Sequence, residues 1–100
     1  MDNRDAFIAK LKAQLDEWNA DLDRWEARTR QSQANSQIAY NEQLTTLRQH
    51  RDDAQQRLTQ AQQATGSAWD EMKLGLEEAW ARVALAFTQA RERFNQQKAA

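Results

Sequence analysis

One hundred residues without a single proline, and with Gly66 and Gly75 as the only glycines, leave very few places where a helix can be interrupted. Proline breaks a helix by removing a backbone donor and colliding with the preceding turn, and glycine weakens it through its conformational freedom. Alanine and glutamine, both good helix formers, fill much of the remaining sequence. The chain is therefore expected to be all-α. The same composition has no cysteine and one histidine, so the residue types most often used in catalytic or metal sites are scarce.

With 40% apolar and 29% charged residues, the apolar surface must be gathered into narrow stripes. One domain spanning residues 1–100 is expected at this length. Fourteen basic and fifteen acidic side chains are interspersed to a formal charge of −1, which gives no basic footprint for a phosphate backbone. Nucleic acid is not an expected partner. The amphipathic start, acidic from its second residue, does not read as a secretory signal, and no apolar run approaches the length of a membrane span. A cytoplasmic location is the expectation, and the lack of cysteine agrees with it.

Periodicity divides the chain in two. Ile8, Leu11, Leu15, Trp18, Leu22 and Trp25 recur at steps of three and four, with Phe7 widening the start, which is the seam of a helix packed on another helix. The register continues through Thr29, Gln33, Ser36 and Tyr40 to Leu44, Leu47, Arg51, Ala54, Leu58 and Ala61. Its middle stretch is small or polar, and so is the weakest part of the seam. Gly66 then supplies a left-handed turn residue, and Ser67 with Asp70 three positions on reads as a capping box opening a second helix. In that helix Trp69, Met72, Leu76, Trp80, Val83, Phe87, Ala90 and Phe94 form a second packing seam. Leu74, Ala81 and Leu85 lie about half a turn away from it, and a helix apolar on two sides usually meets two neighbours. Gly75 with Ala79 makes a small-residue step that either admits a close neighbour or is merely tolerated.

These patterns predict a long antiparallel helical hairpin, a coiled coil with helix 1 over about 4–64, a turn at 65–67 and helix 2 over about 68–97. Folding back about Gly66 sets Val83 and Phe87 beside Leu47 and Leu44, and Phe94 beside Tyr40. The first helix would then be about twice the second and roughly 90 Å long. Its overhang, carrying Phe7, Ile8, Leu11, Leu15, Trp18, Leu22 and Trp25, would need a second chain to cover it, so self-association as a homodimer or homotetramer is expected. The alternative is a three-helix bundle, with the chain breaking near Gln31 to Ser36. That segment has neither glycine nor proline, and the seam can be followed through it, which favours the continuous helix.

The start Ala6-Phe-Ile-Ala-Lys-Leu-Lys-Ala-Gln-Leu-Asp-Glu-Trp18, the central Ile38-Ala-Tyr40 with Leu44 and Arg48, and above all Gly66-Ser-Ala-Trp-Asp-Glu-Met-Lys-Leu-Gly75 resemble a family of small bacterial coiled-coil stress-response proteins first described in cyanobacteria. The likeness covers most of the chain. It implies a cytoplasmic helical protein associated with stress tolerance, without an established enzymatic activity or cofactor and with no residue-level role to transfer. The hundred-residue secreted hairpins of the Trp-x-Gly type match in length, but here the turn is Thr65-Gly66-Ser67 and lies too far along the chain.

No catalytic, cofactor-binding or metal-ligating set is expected. His50 stands beside Asp52 and Asp53, but a lone histidine on a charged helical face has too few companions for zinc, and the two aspartates diverge by about 100°. Asp53 to Arg57, Glu26 to Arg30 and Glu78 to Arg82 have the spacing of helix-supporting ion pairs. Trp18, Trp25, Trp69 and Trp80 all occupy seam positions, so filling helix interfaces is their expected task. The function expected is that of a non-enzymatic, self-associating structural or scaffolding protein. The alternative is a reversible binder of lipid or polyester granule surfaces through amphipathic helices, although the polar face is not rich in lysine.

Overall fold

The computed structural model describes the backbone of residues 3–99 and the side chains of residues 3–95. Residues 1, 2 and 100 of the expected domain lie outside the described residues. Three α-helices follow one another: α1 (Asn3–Arg30), α2 (Ala34–Gln63) and α3 (Ser67–Ala99). They lie side by side in a body of 52 × 22 × 17 Å, about as long as a 33-residue helix.

The continuous first helix is therefore corrected: the chain breaks at Gln31–Gln33, inside the window expected for the three-helix alternative. Local chemistry shows how a segment without glycine or proline makes this turn. The Gln31 and Ser32 amides donate to the Arg28 and Thr29 carbonyls at 3.1 and 3.0 Å, tightening the end of α1. The Ser32 hydroxyl donates to Arg28 O at 3.1 Å. Gln37 reaches back from α2, its Nε2 donating to Ser32 O at 2.8 Å and Arg30 O at 3.4 Å. Gln33 is extended, at φ −65° and ψ 154°, and its side chain makes no cap bond to α2.

Helix α2 ends with Ala64 extended, its amide bonded to Ala61 O at 3.2 Å. Gly66, at φ 60°, is the only residue at positive φ among the described residues, as expected for the turn. Helix α3 begins at Ser67 itself, so the cap position of the expected box moves back one residue to Gly66. Asp70 keeps its place in the first turn, where the helix dipole favours a carboxylate.

The core runs the length of the three helices. Leu11, Leu15, Trp18, Leu22 and Trp25 of α1, Leu44, Leu47, Ala54, Leu58 and Ala61 of α2, and Leu76, Trp80, Val83, Phe87, Ala90 and Phe94 of α3 are all buried, with Phe7, Ile8, Tyr40 and Trp69 packed against them. The α1 stripe that called for a second chain is thus covered within one chain: Trp18 is 4% exposed and Trp25 6%. The reason is geometric. Breaking at Gln31–Gln33 lays the former overhang back along α2 and α3, where the same stripe meets their seams.

Helix α2 runs antiparallel to both neighbours and packs closely on each, while α1 and α3 are parallel and meet chiefly through large side chains. Phe7 meets Trp69, Trp18 meets Trp80 and Trp25 meets Phe87, each partner 62 residues further along the chain. Such a constant offset requires two parallel helices in register. Helix α3 therefore has two neighbours, as its composition suggested, but both lie on its core side. Leu74 and Leu85 remain 68% and 58% exposed.

Candidate interaction surfaces

The α1–α3 seam is a ladder of rings. Trp18 stacks on Phe87 (centroids 5.1 Å, planes 12° apart) and tilts against Trp80 at 5.1 Å. Trp25 lies on Phe94 at 4.9 Å with the planes only 2° apart, and Tyr40 completes the end from α2, 5.2 Å from Phe94. Offset stacking and tilted contacts of this kind add about 0.5 to 1.5 kcal/mol per pair beyond burial. Trp18, Trp25 and Trp80 are thus buried inside the bundle, and Trp69 is partly buried against its end beside Phe7.

Polar side chains tie the helices together at intervals. Trp80 donates its indole Nε1–H to Gln14 Oε1 at 2.5 Å, which satisfies the one polar atom that burial of the ring would strand. Asp21, 2% exposed, accepts from Arg91 of α3 at 2.6 Å and from Arg24 one turn further along α1. Arg4 at the start of α1 donates to the last carbonyls of α2, Ala61 O at 3.1 Å and Gln62 O at 2.7 Å, and its guanidinium lies 4.5 Å from the centroid of the Trp69 ring of α3. One side chain thus joins three helix ends, with its charge at the negative end of the α2 dipole. On the α1–α2 side, Arg48 pairs with Glu26, and Arg51 donates to Asn19 Oδ1 at 2.9 Å. Thr29, also buried, returns its hydroxyl to the Trp25 carbonyl at 2.8 Å.

Of the three ion pairs expected from spacing, Asp53–Arg57 forms at 3.0 Å. Glu26 turns instead to Arg48 across the α1–α2 interface, and Glu78–Arg82 is not paired among the described residues. Gly75 has nothing within 4 Å of where a Cβ would stand, so it is a tolerated helix glycine with no close neighbour.

Two of the accessible surfaces among the described residues bear on binding. An open groove of about 600 Å³ runs between α2 and α3, with Tyr40, Thr46 and His50 on one wall and Ala86, Ala90 and Arg93 on the other. Its lining mixes small, aromatic and charged side chains, and His50 has no acidic or cysteine companions in it beyond Glu42. Among the described residues no group of three or more His, Cys, Asp or Glu side chains is placed to hold a metal ion. The second surface is the outer line of α3, where Leu74, Ala81 and Leu85 share one face with Glu78 between them.

Sequence reasoning missed Asp21, Gln14 and Arg4. Each is polar and flanks the seam, and each acquires its role only when α1 folds back beside α2 and α3, an arrangement that the hairpin did not contain. No family model, curated protein or solved structure matches the chain.

Proposed function

We propose that this is a non-enzymatic helical protein acting by self-association, with a structural or scaffolding role in bacterial stress tolerance. The observation that carries the reading is the use to which the chemically capable side chains are put. Asp21, Arg91, Arg4, Gln14, Arg48 and Glu26 all join one helix to another, so recognition falls to helix faces. The stress association rests on the resemblance of the Gly66 to Gly75 segment and of the Phe7 to Trp18 start. The partner is a second copy of the chain, as a homodimer or homotetramer. Light scattering across a concentration series tests this: a mass two or four times 11.6 kDa supports it, and an invariant 11.6 kDa species removes it.

A second reading is favoured by the exposed Leu74 and Leu85. Reversible attachment to a lipid or polyester granule surface would begin on that face of α3 and continue as the bundle opens and presents its tryptophans. No helix among the described residues is long and apolar enough to cross a membrane, so attachment would be at the surface. Co-sedimentation with phospholipid vesicles and with polyester granules decides it. Protein left in the supernatant at low salt excludes this reading.

A further inference from the structure

The turn that closes the bundle has an unusual position: it interrupts a helical seam that the sequence does not interrupt. Thr29, Gln33, Ser36 and Tyr40 continue the α1 register into α2 at helical spacing, and Arg30 to Ala34 contains neither glycine nor proline. The bend is held by the Gln31 and Ser32 amides, bonded to Arg28 O and Thr29 O, and by the Gln37 side chain, which donates to Ser32 O and Arg30 O, while Gln33 supplies no cap to α2. Straightening these few residues would exchange those contacts for ordinary backbone helix bonds.

The geometry points to exchange of α1 between two copies of the chain, with residues 31–33 as the hinge. If the hinge straightens, α1 and α2 become one helix of roughly 90 Å, and α1 leaves its own α2–α3 pair. A second copy related by a two-fold axis at the hinge brings its α1 into the vacated place. There it runs antiparallel to α2 and parallel to α3, the directions found within the single chain. Trp18 and Trp25 then stack on Phe87 and Phe94 of the other copy, and Asp21 meets the other copy's Arg91. Every interhelical contact is kept, and the two forms differ only at the hinge and in the entropy of association. Concentration therefore selects between them. This inference rests on the self-association reading and names its interface.

The experiment separates the two ideas. Wild type, Gln37→Ala and Ala34→Pro are refolded from denaturant at high protein concentration, and their mass and maximum dimension are measured by light scattering and small-angle X-ray scattering. Ala34 is the first residue of α2, where proline is well tolerated, and Gln33 before it already has the extended geometry that proline demands. In a straightened helix the same proline would be interior. Expected are a dimer roughly twice as long as the 52 Å bundle and a dimerisation constant raised about 25-fold by Gln37→Ala, since each dimer opens two hinges. Ala34→Pro should lower it by at least about a hundredfold. A dimer whose mass and length are unchanged by Ala34→Pro overturns the exchange and leaves self-association standing through another face. Monomers in the wild type and in Gln37→Ala at all concentrations overturn both.

Discussion

The Trp25 and Phe94 rings lie face to face with their centroids 4.9 Å apart and their planes within 2° of parallel, closing the far end of the core where α1, α2 and α3 converge. Tyr40 covers the other neighbour position of Phe94 at 5.2 Å. Phe94→Ala therefore opens a cavity bordered by all three helices and is expected to destabilise the fold by about 3 to 5 kcal/mol. Denaturant unfolding followed by circular dichroism measures this directly; a loss below about 1 kcal/mol would mean that Phe94 is not buried in solution.

Gln14 offers a more selective test. It is half-buried, and its carbonyl oxygen is the acceptor for the Trp80 indole N–H. Gln14→Ala strands that donor and should cost about 1 to 3 kcal/mol, while Gln14→Glu keeps an acceptor and should cost less. If both variants unfold at the same denaturant midpoint as the wild type, the bond is absent.

Asp21 sits at 2% exposure between a half-exposed Arg91 and a more exposed Arg24. Arg91→Ala leaves the carboxylate with Arg24 alone and is expected to cost about 1 to 2 kcal/mol, since solvent around Arg91 weakens the pair. Arg24→Ala removes the more solvated partner and should cost less. A double-mutant cycle of Asp21→Asn with Arg91→Ala reports their coupling, and a coupling energy of zero would remove the interhelical pair.

The two glycines should respond in opposite directions. Gly66 has φ 60° and open space around it, so Gly66→Ala meets only the backbone penalty of the left-handed region, about 1 to 2 kcal/mol of destabilisation. Gly75 lies within α3, also with open space where a Cβ would stand, so Gly75→Ala should stabilise the helix by up to about 1 kcal/mol. Thermal melts of both variants check the signs, and destabilisation by Gly75→Ala would reveal a neighbour pressed against that face.

Arg4→Ala removes a donor to Ala61 O and Gln62 O and a cation from the Trp69 ring. The expected result is faster amide exchange across residues 64–69 with little change at residues 44–54. Uniform acceleration along all three helices would show that Arg4 supports the whole bundle rather than this corner.

Helical content, the seam positions and the Gly66 turn were legible from sequence because period and backbone permissiveness are local properties. The Tyr40–Phe94 contact was legible too, since it follows from folding α3 back along α2. The break at Gln31–Gln33 was foreseen only as the alternative, because the signal that makes it is a glutamine in α2 reaching back over a turn that lacks the usual breakers. The roles of Asp21, Gln14 and Arg4 depended on that break. Until α1 is known to fold back beside α2 and α3, nothing in their own neighbourhoods distinguishes them from other polar residues bordering a seam.

The in-register pairing of α1 with α3 also determines the order in which the chain can report on its own folding. The α1–α2 and α2–α3 hairpins each close over short separations, whereas Phe7 to Trp69, Trp18 to Trp80 and Trp25 to Phe87 must each close a loop of 62 residues. Contacts of such separation are the slow ones in small helical proteins. Since all four indoles lie on the two helices that meet last, their emission would shift in part as each hairpin packs on α2 and would reach its final value only when the third helix docks.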